Sequence, residues 1–487
     1  MYIGVDLGTS GVKLLLMDRE GKIINKVTRE YGISFPGPGW SEQNPYDWFD
    51  NTVAGIRELI KCVDPALIRG IGVGGQMHGL VMLDDGDNVI RPAILWNDGR
   101  TVEETDYLNN VIGKDKLAVY TGNIAFAGFT APKILWVYKN EPENFAKIRK
   151  IMLPKDYLVY RLTGVFSSDY SDASGMLLLD VRNRCWSREM IKICHITEDM
   201  LPPLYNSSDV VGVVRSDVAE SIGLAKDVKV VAGAGDNAAA AVGTGTVGKG
   251  RCNISLGTSG TIFITDSAFA QLGNNAIHSF AHADGGFHIM GCMLSAASCN
   301  KWWMSDILKD DDYNGAQSVI GDEDLGTNKV FFLPYLMGER SPHNDPKVRS
   351  MFIGMSMDTT RTQMTQAVLE GVAYGMRDCL EVARGMGISV SETCICGGGA
   401  KSRLWRRIVA NVLNIRVKTL KNDEGPALGG AILAAVGDGV YRDVIGASEK
   451  IVEYDSIIEP DETIAARYDE RYEFYKKLYP SIKGLYT

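Results

Sequence analysis

The hydrophobic pattern at the start of the chain predicts three consecutive strands. Strand-like runs rich in β-branched and other apolar residues lie at 2–6, 12–18 and 23–31, and short polar or glycine-rich turns separate them. A further apolar run follows at 68–73. Between the third run and this fourth one lies a segment with helical periodicity. The predicted order of elements is therefore β-β-β-α-β. Dinucleotide-binding folds and TIM barrels alternate strand and helix from their first strand, so this order argues against both.

The predicted first helix has a clear start signal and one apolar face. Asn44 is a suitable N-cap and Pro45 suits the first helical position. Apolar residues then recur at spacings of four and three, at Phe49, Val53, Ile56, Ile60 and Val63. We therefore expect this helix to bury one face against the strands.

A short internal repeat predicts a duplicated domain. The sequence DLGTSG at 6–11 returns as SLGTSG at 255–260, an offset of 249 residues, which is close to half the chain. Each copy joins two strand-like runs, so two glycine hairpins facing one cleft are expected. The copies differ at their first position, where Asp6 corresponds to Ser255. Only the first hairpin can therefore supply a carboxylate.

The remaining pattern suggests where the chain divides. Glycines interrupt the hydrophobic pattern at 244–250, so we divide the chain into 1–246, 247–445 and a helical tail at 446–487. Helices are predicted at 361–384 and 426–436. The charged and aromatic segment 461–479 is predicted to be a surface helix.

Composition narrows the class of protein. The 487 residues are 45% hydrophobic and 23% charged, as in ordinary globular proteins. A net charge of -9 disfavours nucleic acid as a partner. No apolar run reaches the roughly 18 residues of a spanning helix, and no export signal is visible, so we expect neither membrane insertion nor secretion. The nine cysteines form no CxxC pair, which suggests reduced thiols and a cytoplasmic protein.

The first glycine hairpin is a candidate phosphate site. Gly11 helps the backbone approach phosphate oxygens, and Thr9 and Ser10 add hydroxyl donors. Asp6, at the end of the first strand, could hold Mg²⁺ through water, because magnesium keeps several waters and needs only one or two carboxylates. The alternative is a carboxylate that caps the turn. Lys13 could reach the same phosphates or be a solvated strand lysine.

Asp236 is the candidate general base. It follows a strand and a glycine turn, and it opens an alanine-rich helix. Bound phosphates would repel its charge and raise its proton affinity, which suits it to accept a proton from a hydroxyl. The alternative is a helix cap without a chemical role.

Two strand-end segments, 76–79 and 96–100, resemble the walls of a sugar site. Trp96 offers a flat apolar surface, and His78 offers directional hydrogen bonds, although a lone histidine is often structural. Arg100 is the only residue in these loops that could read a phosphate bidentately, so an uncharged substrate is expected. The histidines at 278, 282 and 288 lack an acid at metal spacing and do not predict zinc.

Many ordered motifs resemble the FGGY carbohydrate kinases, and the resemblance runs from residue 1 to about 441. Besides the two hairpins they are WSEQ at 40–43, GQMHG at 75–79, RPAILWNDGR at 91–100, GFTAPKILW at 128–136, LPKDY at 153–157, GDNAA at 235–239, GERSPHN at 338–344, GGGA at 397–400 and GPALGG at 425–430. The resemblance implies an α/β, actin-like ATPase fold of the ribonuclease-H type, with duplicated domains around a central cleft.

The resemblance also implies a reaction, its cofactors and its residues. The family transfers the γ-phosphoryl group of ATP, with Mg²⁺, to a sugar hydroxyl, and the Met-His pair and WNDGR favour O5 of D-xylulose. Asp236 corresponds to the proton acceptor and Asp6 to the Mg²⁺ carboxylate. The sugar site corresponds to Met77, His78, Trp96, Asp236 and Asn237. The ATP site corresponds to Thr9, Ser10, Gly11, Lys13, Gly257, Thr258, Gly398, Gly399 and Ala400.

Two alternatives stay open at this point. The acceptor could be another ketose or polyol, such as ribulose, glycerol or gluconate. In a different class, the chain could be an actin-like ATPase that works as a conformational module, although such a module has no use for Met77 and His78. A homodimer is an expectation from the family alone.

Overall fold

Two mixed β-sheets, each of seven strands, organise the chain in a computed structural model that describes residues 1–270, 277–422 and 424–486. The strands of the first sheet are β1 Tyr2–Leu7, β2 Gly11–Met17, β3 Ile23–Glu30, β4 Gly70–Gly75, β5 Val210–Val213, β6 Lys229–Val231 and β7 Ala234–Gly235. The strands of the second sheet are β8 Cys252–Leu256, β9 Gly260–Asp266, β10 His278–Ala281, β11 Phe287–Met293, β12 Glu392–Cys396, β13 Arg416–Leu420 and β14 Tyr454–Ile458.

The two sheets repeat one topology. The first has the order β5-β6-β4-β1-β2-β3, with β7 also paired to β4, and the second has the order β10-β11-β9-β8-β12-β13-β14. In each, an antiparallel hairpin (β1-β2 or β8-β9) is joined through its first strand to a parallel neighbour, β4 or β12. The strands β2 and β9 begin 249 residues apart, at Gly11 and Gly260. The predicted duplication and actin-like fold are therefore confirmed.

The main helices cover the sheets. They are α1 Pro45–Leu59, α2 Thr130–Asn140, α3 Pro154–Thr163, α4 Asp236–Gly243, α5 Arg361–Gly385, α6 Arg403–Leu413, α7 Gly425–Gly437, α8 Val444–Ile451 and α9 Glu462–Tyr475. The start of α1 is as predicted, because the Asn44 side chain accepts a hydrogen bond from the backbone N–H of Tyr46. Helix α1 buries Val53 and Ile56 in the core under the first sheet.

Short strand pairs complete the first half beside the sheet. Glu42–Gln43 pairs with Ala93–Ile94, and Val81–Leu83 pairs with Lys150–Met152. These pairs carry the loops that hold Met77, His78 and Trp96. Among the helices of the described ranges, none combines the length and the apolarity that crossing a membrane would require.

Helix α7 joins the two halves through direct backbone contact. It comes from the second half but packs on β1 and β4 of the first sheet and crosses α4. A Cβ added to Gly429 would lie 1.9 Å from the carbonyl oxygen of Ala239, and one added to Gly243 would lie 2.0 Å from that of Gly425. Only glycine permits such close approach. This packing explains the glycines of the GPALGG segment and fixes the start of α4 relative to β1.

The predicted surface helix at 461–479 is present as α9, which exposes one face and packs its other face on the core of the second half. Helix α9 buries Tyr468, Tyr472 and Tyr475 against the same core as α5 and α6. The hydroxyl of Tyr472 donates to Asp378 Oδ1 at 2.6 Å. Strand β14 forms the edge of the second sheet. The division at 246 and 445 stays a prediction.

Candidate active site

A cavity of about 410 Å³ is lined by both halves of the chain. All five residues predicted for the sugar site line it: Met77, His78, Trp96, Asp236 and Asn237. The second half contributes Ser259, Gly260, Thr261, His278 and Arg340, among others. The volume is typical of a site for a small molecule.

Asp236 has one engaged and one available carboxylate oxygen. Its Oδ1 accepts hydrogen bonds from the backbone N–H of Asn237 at 2.7 Å and from the Asn237 side chain at 3.0 Å. No described residue donates a hydrogen bond to Oδ2. Gly235, not Asp236, occupies the N-cap of α4. Asp236 thus contacts the first turn of its helix, lines the cavity and keeps one oxygen without a donor among the described residues.

The register of the first sheet brings Asp6 and Asp236 near each other. Asp6 on β1 and Ala234 on β7 both pair with Gly74, on opposite sides of β4. One strand therefore separates the two chain segments. No described residue donates a hydrogen bond to the Asp6 carboxylate, which leaves the turn-capping interpretation without support.

Both carboxyl groups hold a proton more tightly than usual. Burial raises the pKa of Asp236 to about 7, and the charge of Asp6 adds to this effect. Burial also raises the pKa of Asp6 to about 6, against the opposing charge of Lys13, its cross-strand partner on β2. A carboxylate with a pKa near 7 is suited to general base catalysis at neutral pH.

The first hairpin is held by a hydrogen-bond network that reaches the cavity. Trp96 Nε1 donates to Thr9 Oγ1 at 2.9 Å, and Thr9 Oγ1 donates to Gln76 Oε1 at 3.0 Å. Gln43 Nε2 donates to the Thr9 carbonyl oxygen at 2.6 Å. Trp96 also lines the cavity, so Thr9 is adjacent to it. Ser10 is exposed at the tip of this hairpin, and Lys13 is exposed on β2.

The second hairpin lies beside the predicted nucleotide segment. The 397–400 turn follows β12, which pairs with β8, the strand that leads into Gly257. A Cβ added to Gly399 would lie 2.9 Å from the Cβ of Leu256, immediately before that hairpin. The structure thus brings Gly257 and Thr258 together with Gly398, Gly399 and Ala400, the ATP-site residues predicted in the second half.

His78 has a defined tautomer. Its Nδ1 lies 2.7 Å from the carbonyl oxygen of Gly175, so Nδ1 carries the proton and Nε2 is left as an acceptor. Burial and the charge of Lys133 lower its pKa to about 3, so the ring is neutral. The His78 carbonyl oxygen accepts from Lys133 Nζ at 2.8 Å and from Thr130 Oγ1 at 3.0 Å. These contacts fix the backbone of His78.

A buried charge cluster beneath Asp236 has no counterpart in the sequence predictions. Lys155 Nζ lies 2.7 Å from Asp156 Oδ1 and 3.0 Å from Asp169 Oδ1, and all three side chains are fully buried. Asp169 accepts from Ser171 Oγ at 2.6 Å, and Ser171 Oγ accepts from the backbone N–H of Gly235 at 3.2 Å. This chain of contacts anchors the residue that precedes Asp236.

Two arginines differ in their relation to the cavity. Arg100 faces away from the cavity: its guanidinium is 1% exposed, pairs with Asp98 and Glu42 at 2.7 Å each, and lies 3.9 Å from the Trp40 ring. Arg340, from the second half, lines the cavity instead. Arg100 is thus engaged by carboxylates, which agrees with the expectation that these loops do not read a phosphate.

Comparison with known proteins places the chain in one family. Its residues 1–243 match the N-terminal domain, and residues 252–437 the C-terminal domain, of the FGGY family of carbohydrate kinases. It is 40% identical to the xylulose kinase of Escherichia coli K12, over 100% of both chains. The crystal structure of a xyloylose kinase from Brucella ovis is 39% identical, with a TM-score of 0.94 over 99% of each chain.

A structure with lower sequence identity has the same fold but is described as a kinase of a different compound, gluconate. The gluconate kinase of Lactobacillus acidophilus is 24% identical and has a TM-score of 0.94, over 100% of this chain and 98% of that one. The fold is therefore shared across kinases that differ in their sugar. This protein is a member of the FGGY family of carbohydrate kinases, a phosphotransferase.

Proposed function

We propose that this protein phosphorylates D-xylulose at O5, with ATP as the donor and Asp236 as the general base. The observation that carries the proposal is that Asp236, whose Oδ2 accepts no hydrogen bond from the described residues, lines a cavity shared by both halves. Full-length relatives that are 33–40% identical and are described as xylulose kinases support the choice of sugar.

The proposed reaction moves one proton and one phosphoryl group. Asp236 Oδ2 accepts the proton of the sugar hydroxyl while the hydroxyl oxygen forms a bond to the γ-phosphorus. The bond between that phosphorus and the bridging oxygen of ADP breaks, and the bonding electrons leave with ADP. In such reactions positioning and electrostatic stabilisation supply most of the acceleration. The raised pKa of Asp236, about 7, makes it a stronger base than an exposed carboxylate.

Two hairpins would hold the phosphate chain. Ser259 and Gly260 line the cavity directly, and Thr9 is adjacent to it through Trp96. Backbone N–H groups and hydroxyls of such turns bind phosphate oxygens. Asp6 fits the role of the carboxylate that holds Mg²⁺, because its oxygens accept no hydrogen bond from the described residues. When bound, Mg²⁺ neutralises charge that develops on the phosphates.

The charges in the cavity support an uncharged sugar. One guanidinium, Arg340, and one carboxylate, Asp236, are its charged side chains within the described residues. His78 and His278 are neutral, since burial is the main factor that lowers the pKa of each to about 3. A phosphorylated sugar would need a cluster of basic side chains. The apolar walls and directional acceptors suit a neutral polyhydroxyl compound.

The alternatives differ in which compound stimulates phosphoryl transfer. Ribulose, glycerol and gluconate remain candidate acceptors, because the fold is common to kinases of several sugars. A conformational ATPase would hydrolyse ATP without an acceptor. The cavity formed around Met77, His78 and Asp236 disfavours that reading, because such a module has no use for a sugar-sized cavity beside its phosphate hairpins.

A substrate panel tests the proposal. Purified protein with Mg-ATP is assayed for ADP release with D-xylulose, D-ribulose, L-ribulose, glycerol, D-gluconate and no acceptor, and the product is located by ³¹P–¹H NMR. We expect D-xylulose to give the highest kcat/KM and the phosphate to be on O5. A higher kcat/KM with another compound would overturn the choice of sugar. ADP release at the same rate without an acceptor would overturn the kinase mechanism.

A further inference from the structure

Arg340 is a cationic side chain that lines the cavity and has no role in the proposed proton and phosphoryl transfer. It comes from the GERSPHN segment of the second half and lines the cavity. Its guanidinium lies 5.2 Å from the centre of the Phe126 ring and hydrogen bonds to the Cys292 side chain. Within the described ranges no carboxylate forms an ion pair with it. A partly buried guanidinium carries five donors, and these contacts leave most of them unused.

The backbone around Arg340 is anchored on both sides. The carboxylate of the buried Glu339 accepts, through Oε1, from the backbone N–H of Arg340 at 2.8 Å and from that of Leu294 at 3.1 Å. The backbone N–H of Ser341 donates to the Cys292 carbonyl oxygen at 2.9 Å. The segment is thus tied to the end of β11, so Arg340 is a preorganised donor.

Arg340 lies at the histidine end of the cavity, because the Phe126 ring that its guanidinium contacts lies 4.9 Å from the His278 ring. Its positive charge helps to lower the pKa of both His78 and His278. If O5 of a pentulose lies at Asp236, the C1 and C2 end of the sugar extends toward His78 and Arg340.

The hydrogen-bonding groups at that end differ in kind. His78 Nε2 is an acceptor, because Nδ1 carries the ring proton, and it can bind only a hydroxyl donor. The carbonyl oxygen of a ketose is an acceptor without a proton, so it requires a donor. We propose that Arg340 is the specificity residue for the keto group, donating hydrogen bonds to carbonyl O2 of the acceptor sugar. This inference rests on the proposed ketose kinase function.

The test compares a ketose with its reduced counterparts. Reduction of the C2 carbonyl of D-xylulose gives xylitol and D-arabinitol, which are otherwise the same size. We measure kcat/KM for D-xylulose and the inhibition constants of both polyols, for the wild type, Arg340→Met and Arg340→Lys. Arg340→Met should lower kcat/KM for D-xylulose by about 10-fold to 100-fold, as for a lost hydrogen bond to a charged group. The polyol inhibition constants should change by less than about threefold, and Arg340→Lys should restore part of the loss.

The controls separate this inference from other roles. Arg19→Met removes a surface guanidinium that is 71% exposed. It should change neither the kcat/KM for D-xylulose nor the inhibition constants of the polyols. Circular dichroism and the KM for ATP of the Arg340 variants should match those of the wild type. Three results for Arg340→Met would overturn the role of Arg340. They are an equal loss for D-xylulose and for the two polyols, a raised KM for ATP, and a kcat/KM for D-xylulose that does not fall. A wild type that does not phosphorylate D-xylulose would overturn the proposed function as well, so the two failures are distinguishable.

Discussion

Asp236→Asn is expected to lower kcat for sugar phosphorylation by about 100-fold or more, the scale of a lost general base. Asparagine keeps an oxygen that can accept from the backbone N–H of Asn237, so the start of α4 should be preserved. It cannot take the hydroxyl proton. Because the phosphate hairpins are unchanged, the affinity for ATP should remain close to that of the wild type. Steady-state kinetics and calorimetric titration with ATP check the two expectations.

The same variant should be more stable than the wild type at alkaline pH. The folded-state pKa of Asp236 is about 7, above the ordinary value of 3.8, so folding favours the protonated carboxyl. The stability contributed by protonation is complete below about pH 4 and is lost as the pH rises through about 7. Asparagine has no charge to bury, so at pH 8 the variant should melt a few degrees higher, with a smaller difference at pH 5.

Two outcomes would contradict this account of Asp236. Near-normal kcat would reduce Asp236 to a structural residue of α4. A variant that is inactive but less stable than the wild type at pH 8 would indicate that the loss of activity reflects misfolding. Asp85→Asn, at an exposed turn position, is the matched control and should leave both activity and stability unchanged.

Asp6→Asn is the second large effect that we expect. The substitution removes the carboxylate proposed to hold Mg²⁺ but preserves the size of the side chain at the end of β1. We expect kcat to fall by about 100-fold or more, since loss of charge stabilisation at the phosphates costs on this scale. The Mg²⁺ concentration that gives half-maximal rate should increase. Titration of activity with Mg²⁺ at saturating ATP and sugar measures both quantities.

A change confined to charge at the surface should have no such effect. Asp50→Asn alters an exposed carboxylate of α1 and is the control. If Asp6→Asn retained both the wild-type kcat and the wild-type dependence on Mg²⁺, Asp6 would have no part in the phosphate site. The duplicated position gives a further comparison, because Ser255 already lacks a charge and its substitution by alanine should not alter the dependence on Mg²⁺.

Features that depend on neighbouring residues in the sequence were predictable. Strands β1 to β3 match the predicted runs to within one residue at either end, because short turns of defined composition separate them. The repeat of the LGTSG hairpin predicted two sheets of one topology. Asp236 and His78 were found because each follows a strand and a turn, the place where side chains reach a cleft. The tail helix was predictable as well, and Tyr468, Tyr472 and Tyr475, spaced by four and three, form its buried face.

Features that depend on long-range contacts were not predictable. Lys133 and Lys155 lie in motifs that had no assigned role, and their functions appear only when Lys133 contacts the His78 backbone and Lys155 pairs with Asp169. Arg340 is distant in sequence from every predicted sugar-site residue of the first half, and no periodic pattern marks it. A pattern shows that a charged residue is present, but only the fold decides which charges compensate one another.

We expect Asp236 to face the hydroxyl that receives the phosphoryl group. A crystal structure with D-xylulose, Mg²⁺ and a non-hydrolysable ATP analogue would reveal this contact. We expect an Asp236 carboxylate oxygen within about 2.6–3.2 Å of O5 of the sugar, with the γ-phosphate on the opposite side of O5. A sugar bound outside the cavity, or an Asp236 carboxylate that contacts no sugar hydroxyl, would contradict the claim.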